Sequence, residues 1–276
     1  MTNSPDAHHR PLLRLSLFLG LVRFRALEQR YPGASAEEIW LANRAGSVLH
    51  SSADILGAAA LADCFKGLVA EPGAAGMQAF IDRALTLDPA TWLVAALRGR
   101  HALRAVMPAA AAQCFEFTGV FAETPTPEAL SWWDSLVQTQ RASENEIRTQ
   151  RGRDGEHLTM RHELERLRAL GVDQRPRWVA LDDETLGYDV LSFDLDDSRR
   201  TVNVLIEVKA CSSLPLRIFL TRNEWHRAQQ AGESWRMHVW HLPSRTLTEV
   251  CQSELGVHVP LNQGAGEWQQ VLIELS

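Results

Sequence analysis

Glu207 and Lys209 follow a short apolar run, residues 204–206, for which the sequence predicts a β-strand. Side chains two positions apart on a strand point to the same face and lie roughly 7 Å apart along it, so a strand here places the carboxylate beside the ammonium. Asp189 lies in a second β-rich run, residues 188–195, and can approach Glu207 if the two strands are neighbours. Two carboxylates beside one ammonium are typical of a site for Mg²⁺. A lysine at such a site can orient or deprotonate an attacking water.

The same triplet, Glu-x-Lys on a strand, is common as a solvated surface pair. Two features favour the catalytic interpretation. The apolar residues 204–206 indicate a buried central strand, so Glu207 and Lys209 lie where that strand leaves the core. Asp189 belongs to a Gly-Tyr-Asp turn rather than to a charged surface.

The periodicity of apolar residues changes along the chain. Residues 1–138 show helical spacing and predict a helical domain, and the polar residues 139–154 predict a connecting helix or linker. From residue 155 to residue 276, a helical segment is followed by short β-rich runs, a helix and a further strand. This order predicts an α+β or α/β domain with a mixed sheet flanked by helices.

The runs 188–195 and 202–209 are expected to be neighbouring antiparallel strands. The polar segment between them, residues 196–201, is too short for the crossover that parallel strands need. This pairing would bring Asp189 and Glu207 together.

Composition excludes several classes of protein. The chain has 276 residues with 28 basic and 34 acidic side chains, so a broad basic surface for nucleic acid is absent and any such site must be local. The four cysteines form no CxxC motif and fit a reducing cytoplasm. The apolar residues 12–22 are too few to span a bilayer, so no membrane contact is expected. Motifs for zinc, serine hydrolysis, ATP and dinucleotides are also missing from the sequence.

An ordered set of residues in the second half resembles a known family. The set is Gly155, Glu156, Glu163, Leu167, Trp178, Val179, residues 187–194, residues 206–209 and residues 219–225. It is similar to the domain found at the C-terminus of the plant protein NO VEIN and in many bacterial proteins. That domain is assigned to the PD-(D/E)XK, or restriction-endonuclease-like, superfamily and is similar to Mrr-type nucleases. The resemblance covers residues 150–243.

The resemblance implies roles for particular residues. Asp189 and Glu207 would be metal ligands, together with the backbone carbonyl of Val208, and Lys209 would be the catalytic lysine. Glu156 matches an acidic residue on the first core helix that joins the metal site in this superfamily.

Other positions are less closely tied to the predicted site. Glu163 lies seven residues after Glu156, close to the same helix face, and could support the site. Ala210 and Cys211 depart from the family pattern, in which threonine, serine or glycine is commoner.

Several residues after the motif have both a functional and a structural interpretation. Arg217, Arg222, Arg227 and Arg236 could line a groove for phosphates, although solvated surface arginines explain them equally well. Glu224 matches the family pattern but has a sufficient role as the capping-box partner at the start of a helix.

The resemblance thus implies a Mg²⁺- or Mn²⁺-dependent endonuclease that acts on DNA, with a weaker implication of restriction or phage defence. A homodimer is consistent with cutting two strands. The alternative is a catalytically inactive nuclease-fold module that binds nucleic acid or protein. In either case the helical N-terminal domain is a possible surface for a protein partner.

Overall fold

The computed structural model describes residues 11–46, 53–68, 71–262 and 264–275. The chain divides into two compact units, Met1–Glu144 and Asn145–Ser276. Among the residues described, none of the helices combines the length and the apolar character needed to cross a bilayer.

The described part of the first unit contains helices and no strand, which confirms the helical prediction for this half. The helices are α1 (Leu15–Arg30), α2 (Ala36–Gly46), α3 (Ile55–Leu61), α4 (Ala74–Leu87), a 3₁₀ helix (Thr91–Arg98), α5 (Arg100–Val106), α6 (Ala109–Phe117) and the first part of α7 (Pro127–Leu170). Their core contains Phe18, Phe65, Phe80 and Phe115, all at most 1% exposed. The rings of Phe65 and Phe80 stack with centroids 5.3 Å apart.

Helix α7 is 44 residues long and contains the whole segment 139–154. It starts at Pro127, where the Thr126 side chain accepts a hydrogen bond from the Ala129 amide (3.2 Å) and caps the helix. The boundary between the two units falls within this helix, between Glu144 and Asn145. The segment is therefore continuous helix.

The second unit contains a five-stranded mixed sheet. Its elements after α7 are β1 (Arg177–Trp178), β2 (Val190–Leu195), β3 (Thr201–Cys211), β4 (Leu216–Thr221), α8 (Arg222–Ala231), β5 (Trp235–His241), β6 (Thr246–Cys251), α9 (Gln252–Gly256) and β7 (Gln270–Leu275). The strand order in the sheet is β1-β2-β3-β5-β6. Strands β3 and β5 are parallel, and the other neighbours are antiparallel.

Strands β2 and β3 pair antiparallel, from Val190 opposite Ile206 to Leu195 opposite Thr201, as the short connection predicts. The turn between them is closed by Asp196, whose Oδ1 accepts hydrogen bonds from the amides of Ser198 (2.9 Å) and Arg200 (2.8 Å). The pairing places the beginning of β2 beside the end of β3, which is where the predicted site lies.

The two faces of the sheet pack on different partners. One face packs on α7 and contains Val190, Val204, Ile206, Val208 and Trp240 with Leu158 and Met160 of the helix. The opposite face packs on α8 and on a separate pair of antiparallel strands, β4 and β7, and contains Trp235, Met237, Val239, Ile218, Leu220, Ala228 and Ile273. Because side chains alternate along β3, Glu207 and Lys209 lie on the face that packs on α8.

Candidate active site

The hydrogen bonds around Asp189 place it opposite Glu207. Asp189 immediately precedes β2, and its amide donates to the carbonyl of Ile206 (2.9 Å), which continues the register of Val190 with Ile206. Asp189 Oδ2 accepts a hydrogen bond from the Val208 amide (2.7 Å). Asp189 and Glu207 therefore come from adjacent strands and lie next to each other, as the sequence predicted.

Gly187 sets the direction of the chain into this site. It has a left-handed φ of +73°, and a Cβ built there would lie 3.1 Å from the Cβ of Arg227. Both the backbone conformation and the close approach of α8 favour glycine. Next to it, the guanidinium of Arg227 lies 5.5 Å from the centre of the Tyr188 ring.

Lys209 is held by two carboxylates. Its Nζ is 2.7 Å from Glu207 Oε1 and 3.0 Å from Glu224 Oε2. The side chains of Glu207, Glu224 and Lys209 are 6%, 16% and 19% exposed, so all three groups are largely removed from water. The ammonium thus lies where β3 meets the first turn of α8.

The pKa values of Asp189 and Glu207 are raised. Burial raises the pKa of Asp189 to about 6, and the carboxylates of Glu156 and Glu224 add to this, while the Val208 amide and Lys209 oppose it. Burial also raises the pKa of Glu207 well above its usual value, with Lys209 opposing the shift and Asp189 adding to it. Burial alone would lower the pKa of Lys209, but Glu207 and Glu224 more than offset this and raise it. Negative charge is therefore in excess around a single ammonium.

Glu156 lies on α7, and its carboxylate is hydrogen-bonded to a tryptophan. Trp178 Nε1 donates to Glu156 Oε2, and the ring of His157 packs edge-on against Trp178 with centroids 4.6 Å apart. Glu156 contributes to the raised pKa of Asp189 and so lies within electrostatic range of the site. Its side chain is oriented by Trp178.

The residues predicted to bind metal fit a hard cation in their chemistry, although they are not assembled as a complete ligand set. Carboxylate oxygens in excess over one ammonium match the preference of Mg²⁺ for oxygen donors. Within the described ranges, however, no group of three or more His, Cys, Asp or Glu side chains is arranged to hold a metal ion. Glu207 is paired with Lys209, and Glu156 with Trp178. Val208 contacts the site through its amide N–H, which donates a hydrogen bond to Asp189.

The contact between Glu224 and Lys209 is the feature of this site that sequence reasoning missed. The capping box that the sequence indicates is present: the Thr221 amide donates to Glu224 Oε2 (3.0 Å), and the Glu224 amide donates to Thr221 Oγ1 (3.3 Å). The sequence provided no signal for the additional ion pair because that contact depends on how α8 packs on β3.

Glu163 belongs to a different cluster, on the sheet face that packs on α7. It is 1% exposed and forms hydrogen bonds with Arg166 (2.6 Å) and Ser192. Burial would raise the pKa of Glu163, but these two hydrogen bonds, together with the positive charge of Arg166 and the nearby His238, lower it overall. Asp194 extends the cluster through ion pairs with Arg166 and Arg236. Glu163 is thus engaged in this cluster, and its recorded contacts do not include Asp189 or Glu207.

Three of the four arginines considered as phosphate ligands are engaged in ion pairs. Arg217 pairs with Glu274, Arg222 with Glu267 and Arg236 with Asp194. The fourth, Arg227, lies over the ring of Tyr188, the residue that precedes Asp189.

One comparison with known proteins finds a partial similarity, within the second unit. The family model described as "Protein NO VEIN, C-terminal" matches residues 155–250, a range that includes Glu156, Asp189, Glu207, Lys209 and Glu224. This part of the second unit is therefore similar to the NO VEIN C-terminal domain. No curated protein and no solved structure shows a significant match to the chain.

Proposed function

We propose that residues 155–276 form a restriction-endonuclease-like nuclease domain that hydrolyses phosphodiester bonds in DNA with Mg²⁺ or Mn²⁺ as cofactor. One observation carries the proposal. Asp189 and Glu207 lie next to each other on adjacent strands, and Lys209 contacts Glu207 at 2.7 Å. The match to the NO VEIN C-terminal domain covers all three residues and supports the assignment.

Each residue has a defined part in this proposal. Asp189 and Glu207 would hold the cation, with the Val208 carbonyl and Glu156 as the remaining candidates. A bound divalent cation lowers the pKa of coordinated water and stabilises charge on a phosphoryl group. The Lys209 ammonium would donate hydrogen bonds to the attacking water or to a phosphate oxygen. An arginine could not replace it equally well, because its guanidinium is a broad planar fork.

A plasmid-cleavage assay tests this proposal. Wild-type protein should convert supercoiled DNA to nicked or linear forms with Mg²⁺ or Mn²⁺ and should be inactive in EDTA. Lys209→Met should abolish cleavage. The matched control is Lys66→Met, because Lys66 is the only other lysine in the chain and is exposed in the first unit. An inactive wild type, or a Lys209→Met variant as active as Lys66→Met, would contradict the proposal.

The second candidate is a nuclease-fold module that binds nucleic acid or protein without cleavage. The ion pair between Glu207 and Lys209 favours this second candidate, because Glu207, a proposed metal ligand, is already engaged by the ammonium. If the module binds nucleic acid, labelled DNA should bind with the same affinity to wild type and Asp189→Asn, with or without Mg²⁺, and remain uncut; if it binds protein, DNA should neither bind nor be cut. Fluorescence anisotropy followed by gel analysis of the same samples distinguishes the two candidates.

The biological role and the assembly are further parts of the proposal. The resemblance to the NO VEIN C-terminal domain would imply a role in restriction or phage defence, because we place that domain in the same superfamily as Mrr-type nucleases. Two copies would be needed to cut both strands in one binding event if each carries one site. Light scattering with and without DNA would show whether cleavage-competent protein is dimeric.

A further inference from the structure

One carboxylate oxygen connects the start of α8 with the proposed catalytic lysine. Glu224 Oε2 accepts the Thr221 amide (3.0 Å) and also lies 3.0 Å from Lys209 Nζ. The capping box fixes this oxygen, because the Glu224 amide in turn donates to Thr221 Oγ1. Glu224 therefore caps the start of α8 and is also the second anion beside the Lys209 ammonium.

The two carboxylates that contact Lys209 differ in their other bonds. Glu207 lies next to Asp189 and is itself a proposed metal ligand, so its contact with the ammonium competes with metal binding. Glu224 is anchored to the backbone of Thr221 on the side of α8. Its contact with Lys209 is therefore independent of whether Glu207 is engaged elsewhere.

We infer that Glu224 is a positioning residue, which holds the Lys209 ammonium beside the site when Glu207 turns to another partner. The inference rests on the proposed function, since it assigns the orientation of the proposed catalytic lysine to a residue of α8. A lysine has a flexible four-carbon stem, and a hydrogen bond to a charged group restricts it more strongly than a bond to a neutral one.

The variant Glu224→Gln separates positioning from helix capping. Glutamine still completes a capping box, so the start of α8 should be retained, but the charge opposite Lys209 is lost. The matched control is Glu254→Gln in α9. Glu254 forms the same kind of box, with Oε2 accepting the Cys251 amide (2.7 Å), and no lysine contact is recorded for it in the described structure.

The first readout is NMR of lysine side chains, which is favourable because Lys66 and Lys209 are the only lysines. In protein labelled at lysine Cε and Nζ, the ammonium of Lys209 should give a signal that exchanges slowly with water, and exposed Lys66 should serve as internal reference. Because Glu207 also contacts Lys209, the comparison is made in protein that carries Glu207→Gln. In that background Glu224→Gln should lose the slow signal, while Glu254→Gln should retain it. A slow Lys209 signal unchanged in Glu224→Gln would overturn the inference.

The second readout is the division between kcat and KM for DNA cleavage. A misplaced lysine lowers kcat, so Glu224→Gln should lose roughly 10- to 100-fold in kcat with little change in KM or in melting temperature. A kcat equal to that of Glu254→Gln would overturn the inference while leaving the nuclease proposal intact. If the wild type does not cleave DNA, the nuclease proposal fails, and the NMR comparison alone decides whether Glu224 holds Lys209.

Discussion

Gly155 of α7 lies against Ala210 of β3, and a Cβ built on Gly155 would stand 3.1 Å from the Cβ of Ala210. The same atom would be 3.3 Å from Val208 Cγ1. Both positions therefore require small residues where the helix crosses the strand that carries Glu207 and Lys209. This contact gives Ala210, which departs from the family pattern, a packing role.

The first prediction concerns this crossing. Gly155→Val should destabilise the protein by about 1–3 kcal/mol, because the added methyl groups overlap Ala210 and Val208 in a packed core. The control is Gly152→Val, one turn earlier on the same helix, where the nearest neighbour of a built Cβ is the tip of Glu156 at 3.8 Å. Urea unfolding should show the difference. Equal free energies of unfolding for the two variants would contradict close packing at Gly155.

The second prediction concerns the ion pair between Glu163 and Arg166, which both belong to α7. Arg166→Met leaves the Glu163 carboxylate, which is 1% exposed, without its charged partner, so the free energy of unfolding should fall by about 3–5 kcal/mol. The control is Arg161→Met, an exposed position on the same helix, with an expected effect within about 0.5 kcal/mol. The loss for Arg166→Met should shrink at acid pH, where Glu163 can protonate. A loss that stays constant down to pH 3 would argue against this origin.

Local signals in the sequence predicted the elements that carry the site. The short segment between β2 and β3 required antiparallel pairing, and the pairing placed Asp189 beside Glu207. The Thr221–Glu224 capping box gave the start of α8. These inferences succeeded because turn length and capping depend on residues close together in the chain.

Contacts between distant segments could not be predicted in the same way. Strand β4 lies outside the five-stranded sheet and pairs with β7, which is far along the chain. In the sequence, β6 and β7 could not be distinguished from other short apolar runs. Glu163 shares a helix face with Glu156 by spacing, yet its carboxylate is engaged by Arg166 and Ser192. Such details depend on packing between elements, which periodicity does not encode.

The third prediction is a pH dependence due to Asp189. Its pKa is raised from 3.8 to about 6, mainly by burial, so folding favours the protonated form. The stabilising contribution is complete below the ordinary pKa, where folded and unfolded chains are both protonated, and it is lost as pH rises through about 6. Asp189→Asn keeps an acceptor for the Val208 amide and carries no charge. The free energy of unfolding of this variant, relative to that of the wild type, should therefore rise by on the order of 2–3 kcal/mol between pH 4 and pH 7.

Denaturant unfolding at several pH values checks this difference. The control is Asp197→Asn, at an exposed position in the turn between β2 and β3, which should follow the wild type across the range. If wild type and Asp189→Asn change in parallel with pH, burial of the Asp189 carboxyl is not the cause.

The fourth prediction concerns metal binding. A cation that binds only the folded state raises the melting temperature by linkage, so Mg²⁺ or Mn²⁺ should stabilise the wild type and Asp197→Asn equally. The metal should raise the melting temperature of Asp189→Asn much less, because this variant lacks one of the two adjacent carboxylates. Lys209→Met should melt lower than wild type without metal, since Glu207 and Glu224 lose their shared ammonium, and it should gain more from the metal, which can replace that charge. Thermal melts over a metal titration measure these shifts. Equal stabilisation of wild type and Asp189→Asn would show that Asp189 is not a metal ligand, and the non-catalytic binding module would then be the better interpretation.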